Sequence, residues 1–75
     1  MTVKERRKVV TSVAGIVVEV LVTVGSPVGE ETEVAIVESM KMEIPVEAGI
    51  AGTVAEVLVT PGDKVAEGQT IAVLS

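Results

Sequence analysis

The run Glu38-Ser39-Met40-Lys41-Met42-Glu43 holds the side chains best suited to chemistry: one primary amine between two thioethers, with carboxylates on either side. A deprotonated lysine amine is a nucleophile, and flanking carboxylates can act as acid, base or electrostatic partner. The rest of the inventory narrows the options sharply. The 75 residues include no Cys and no His, which excludes Cys–His and Ser–His–Asp catalysis, a histidine base, disulfides and zinc sites of the usual kind. No glycine loop of the phosphate-cradling type is present, and Glu38 and Glu43 come with no evident cleft or electrophile stabiliser. No catalytic residue and no metal ligand is therefore assigned, and the chain is expected not to be an enzyme.

The elements that must hold this run are strands. Eighteen valines and five isoleucines stand against three leucines, a balance suited to pleated, half-buried surfaces. Val13-Ala-Gly-Ile-Val-Val-Glu-Val-Leu-Val-Thr-Val-Gly25 lies over Ile50-Ala-Gly-Thr-Val-Ala-Glu-Val-Leu-Val-Thr-Pro-Gly62 at an offset of 37, with nine of thirteen pairs identical. The match continues through Val28 over Val65, Glu30 over Glu67 and Ala35 over Ala72. Neither half can bury its own apolar face, so the repeat predicts two copies related by a quasi-two-fold axis, closing over one core. The expected fold is all-β: a flattened barrel or sandwich of about eight short strands. Strands are expected near residues 8–12, 16–23, 34–38, 42–46, 53–59 and 70–74, with short pieces around Val28 and Val65. Gly25-Ser26-Pro27 and Pro61-Gly62-Asp63 are equivalent turns.

One stretch departs from these rules. The β-forming run from Val34 to Val46 is too long for one strand of a small domain and must turn back, with its natural centre at Ser39 to Met42. A tight hairpin ordinarily recruits Asn-Gly or Asp-Gly at that point. A local choice that opposes the fold marks the place to look for function.

Charge limits the partners. From residue 9 onward two lysines stand against ten carboxylates, a net charge of −8, so duplex nucleic acid is not an expected partner. The absence of Phe, Tyr and Trp removes the stacking platforms of single-strand binders. Residues 1–7 form a basic segment expected to be mobile, and residues 8–75 the domain proper. This basic head, followed by Val9 to Val18, imitates a signal peptide, but Thr11, Ser12 and Gly15 interrupt the apolar run and no convincing cleavage site follows. No uncharged stretch approaches the roughly eighteen residues of a membrane span. A soluble, cytoplasmic protein is expected.

Residues Glu38-Ser-Met-Lys-Met-Glu-Ile-Pro-Val46 resemble the attachment sequence of biotinyl domains, and Gly52 to Ile71, with its spaced glycines, resembles that family's closing segment. The resemblance spans about residues 12–75 and is nearest to small free-standing bacterial biotin/lipoyl attachment proteins. It implies a flattened barrel of two four-stranded sheets, with Lys41 on a tight hairpin receiving biotin through an amide bond. Met40 and Met42 would then offer adaptable apolar contacts to the biotin protein ligase. Glu38, Ser39 and Glu43 would contribute more weakly to recognition. Further implied partners are biotin carboxylase and carboxyltransferase subunits, between which the arm would swing. Ser39 stands where the commoner pattern has Ala, Ser12-Val13 stands where many relatives have Pro and Met, and the inserted thumb of some carriers has no counterpart.

Two alternatives follow from the same residues. Glu38, three before the lysine, is compatible with lipoate as the cofactor, although lipoyl domains typically carry Asp where Met40 stands. The other is an unmodified β-sandwich interaction module. For the Met40-Lys41-Met42 run by itself, the plainer reading makes Lys41 a solvated strand residue and the methionines core. Lys4 lies opposite Lys41 in the repeat but lacks the methionine flanks, and Lys64 reads as a solubilising charge in a loop.

Overall fold

The computed structural model describes residues 7–75. They form eight strands: β1 (Arg7–Val10), β2 (Gly15–Val20), β3 (Pro27–Val28), β4 (Glu33–Ser39), β5 (Met42–Glu47), β6 (Gly52–Val57), β7 (Lys64–Val65) and β8 (Thr70–Leu74). No helix occurs among the described residues, so none is long and apolar enough to cross a membrane. Lys4 and the rest of the basic segment before Arg7 lie outside the described residues, and Arg7 itself opens β1.

Two four-stranded antiparallel sheets face each other, ordered β1-β8-β6-β3 and β5-β4-β2-β7. The 37-residue offset carries one order onto the other, so the repeat is a repeat of sheets. Each sheet takes two strands from each half of the chain, and the halves interlock. Val17 donates to the Asp63 carbonyl and accepts from the Gly62 amide; Val54 does the same with Ser26 and Gly25. The two halves of the core are thus tied together by pairings between segments far apart in sequence.

The turns repeat in chemistry as well as position. At Thr23–Ser26 and Thr60–Asp63 the fourth residue's side-chain oxygen accepts the first residue's N–H, at 3.1 and 2.9 Å. Gly25 and Gly62 occupy the left-handed position inside these turns, with φ of 95° and 97°, where a side chain is disfavoured. Thr32 on Gly29 and Gln69 on Ala66 repeat the device one turn later.

Bulges set which residues enter the core. The ladders skip Val18 and Ala55, and likewise Val34 and Ile71, all of them repeat-related. A bulge re-aims one side chain, which is why neighbours Val34 and Ala35, and again Ile71 and Ala72, are buried together. Bulges and turns also end strands early. β1, β2 and β6 stop at Val10, Val20 and Val57, short of the expected 12, 23 and 59. Thr11 instead leaves the ladder and is fully buried, its Oγ1 donating to the Val13 carbonyl and accepting from the Val13 amide. Leu74, the larger repeat partner of Val37, is fully enclosed. Leu74→Ala is expected to cost about 3 kcal/mol, read as a lowered urea midpoint, with exposed Val10→Ala as the near-neutral control.

Candidate functional site

Ser39 and Met42 face each other as the last pair of the β4–β5 ladder, leaving Met40 and Lys41 as a two-residue connection. Their φ angles are 53° and 66°, and among the described residues no other non-glycine has positive φ. Left-handed φ at both central positions is what a type I′ turn requires, because its twist matches that of paired strands. For residues with side chains the conformation costs roughly 1–2 kcal/mol each. The ladder below it supplies the restraint: Val37 and Ala35 on β4 and Val46 on β5 are all buried. The hairpin therefore holds a strained tip on a packed base.

At that tip Lys41 is exposed, Met40 is 92% exposed and Met42 64%. The methionines are accordingly not core, which corrects the reading that places them there. Glu38 and Glu43 sit directly opposite one another, both exposed, a like-charge pair that does not favour the ladder. Ser39 is half-buried at the end of β4. No group of three or more His, Cys, Asp or Glu placed to hold a metal ion occurs among the described residues. An exposed primary amine on a fixed turn, with little backbone around it, fits an acyl group delivered by a larger partner.

Lys64 is the residue whose place the sequence did not disclose. It belongs to β7, not to a loop, and pairs with Ile16, which on its other side pairs with Glu38. One row of the sheet therefore reads Lys64, Ile16, Glu38, Glu43. Beside the hairpin this row borders an open groove of about 580 Å³, lined by Ile16, Glu38, Ser39, Lys41, Lys64 and Val65 among others. The proximity rests on β2 pairing with both β4 and β7, and no local pattern around residue 64 signals it.

Comparison with known proteins agrees with this geometry. The family model Biotin_lipoyl, described as "Biotin-requiring enzyme", matches residues 7–74. The urea carboxylase of Kluyveromyces lactis superposes with a TM-score of 0.87 at 30% identity, over 93% of this chain and 6% of that one. A single-chain, multi-domain long-chain acyl-CoA carboxylase superposes with a TM-score of 0.86, also at 30% identity, over 97% of this chain and 7% of that one. The chain thus corresponds to a small part of each carboxylase. A search of curated proteins gave no match. With the repeat, the paired sheets and the family match in agreement over nearly its whole length, the chain belongs to the biotin/lipoyl attachment family.

Proposed function

We propose that the chain is a biotin carrier and that Lys41 is its attachment site. The observation that carries this is the strained I′ turn that presents Lys41 between two methionines in water, in a chain similar to parts of two carboxylases. A biotin protein ligase would dock on the tip, with Met40 and Met42 as its apolar anchors and Glu38, Ser39 and Glu43 at the edge of the contact. The Lys41 amine is the acyl acceptor: its nitrogen attacks the acyl carbon of a biotinyl adenylate held by the ligase, the amide bond forms and the nitrogen gives up a proton as the acyl–phosphate bond breaks and AMP leaves. Bound biotin supplies a ureido nitrogen able to carry a carboxyl group between two active sites. The protein's own part is positional, since a flexible arm on a rigid base raises the effective concentration at each site. Biotin carboxylase and carboxyltransferase subunits or domains are the corresponding partners, and the carrier itself performs neither reaction.

Intact mass of the protein co-expressed with its own ligases tests the proposal. A gain of one biotinyl group, mapped by peptide analysis to Lys41, is expected; a lipoyl gain would replace biotin by lipoate, and no gain would leave an unmodified module. Met40→Asp examines the anchor. Asp tolerates left-handed φ, so stability should be retained, while ligase turnover should fall about tenfold, as for loss of an apolar anchor worth roughly 1.4 kcal/mol. A large loss of stability with unchanged loading would contradict the role given to Met40.

A further inference from the structure

The quasi-two-fold axis produces two corners, and they differ. At one, Ala51, Gly52 and Thr53 lie beside Pro27 and Val28, and the Arg7 side chain crosses the corner: its Nη2 donates to the Ala51 carbonyl at 2.9 Å and lies 2.9 Å from where a Cβ on Gly52 would be. At the other, Ala14, Gly15 and Ile16 lie beside Lys64 and Val65. There the repeat replaces Arg7 by Ile44, so no guanidinium of the described residues spans the corner, and Pro27 by Lys64. The corner left open is the groove that Lys41 borders.

We propose that this groove is a resting site for the ring system of the arm carried by Lys41, an inference that rests on the biotin reading above. The row beside the groove presents a cation, an apolar side chain and an anion in order: Lys64, Ile16 and Glu38. The ring system offers the complement. Its ureido carbonyl accepts from the Lys64 ammonium, its sulfur-containing ring rests on Ile16, and a ureido N–H donates to the Glu38 carboxylate. Two strand spacings, about 10 Å, separate β4 from β7, and the lysine stem with its pentanoyl chain exceeds that span. The groove is open, so docking is reversible and leaves the arm free to be taken up by a partner. Ile16 is also exposed without the arm, and its repeat partner in the filled corner is Thr53.

Amide and methyl NMR spectra of the full chain, with and without biotin on Lys41, test this. Loading confirmed by intact mass should shift Ile16, Lys64 and Val65 as well as residues 40–42, and isotope-filtered spectra should show contacts from biotin to the Ile16 methyls. Lys64→Gln, and separately Ile16→Thr in imitation of Thr53, should lower the groove shifts at least twofold while residues 40–42 still respond. Changes confined to residues 40–42 on protein shown by mass to be loaded would overturn the resting site and leave the biotin assignment standing. No mass gain in the unmutated chain would overturn both. Retained groove shifts in both variants would exclude the assigned contacts.

Discussion

Lys41→Arg should abolish biotin loading: the streptavidin signal is expected to fall to background and the intact mass to stay that of the unmodified chain. Arginine keeps the charge, the exposure and the long stem, but its guanidinium stays protonated and offers no free amine to an activated acyl group. The fold should be indifferent, because an exposed tip side chain contributes nothing to the core formed by Val37, Ala35 and Val46. The unfolding free energy should stay within about 0.5 kcal/mol of the parent. Acylation also removes one positive charge, so loaded parent protein should run as the more acidic species on a native gel, a band the variant should lack. Biotin persisting on Lys64 or Lys4 in the variant would defeat the assignment.

Gly15→Ala should be the most damaging single methyl that can be added to this chain. A Cβ there would fall inside contact distance of the Glu38 carbonyl oxygen and 2.8 Å from Val37 Cγ1. The first obstacle is backbone in the β2–β4 ladder, which no rotamer change relieves, so a loss of about 3 kcal/mol is expected. That is a large share of the stability of a small domain. Its repeat partner Gly52 meets the end of the Arg7 side chain at 2.9 Å and the Ser75 carbonyl at 3.2 Å. A guanidinium can swing away, and Gly52→Ala should therefore cost about 1 kcal/mol, less than half as much. Because Glu38 lies near the hairpin, Gly15→Ala should also slow ligase turnover, whereas Gly52→Ala should not. Equal denaturation midpoints for the two variants would show that the repeat-related corners are packed alike.

The features legible from sequence were those written locally or written twice. The offset of 37 placed the strands and the equivalent turns, and the absence of a normal turn pair between Val34 and Val46 located the hairpin at Met40-Lys41. Strand ends were less legible, because the bulges at Val18, Val34, Ala55 and Ile71 depend on what lies across the sheet and have no residue signature of their own. Thr11 illustrates this: it read as the continuation of β1, but a buried hydroxyl needs partners, and the Val13 backbone supplies both. Lys64 was the largest omission within the candidate site. Its meaning arises from two successive antiparallel pairings, and neither is visible from Pro61-Gly62-Asp63.

The strand order also has a mechanical consequence. β2 starts beside the hairpin, through Ile16 and Glu38, and its chain leads on to β3, which pairs with Gly52 and Thr53, where Arg7 and Ser75 also lie. The hairpin and the pair Arg7 and Ser75 therefore lie at opposite poles. At the far pole Arg7 faces Leu74 across an antiparallel pair in which β1 is the outermost strand. Any polypeptide joined to both ends would pull on that pair across its hydrogen bonds, parting them one at a time like a zipper, where shear would load them all together. Under tension β1 should peel first and withdraw Val9, while the hairpin, anchored in the opposite sheet by its own ladder, keeps its shape. A tethered carrier stretched between distant stations would then have a soft end at its leash and a stiff end at its load.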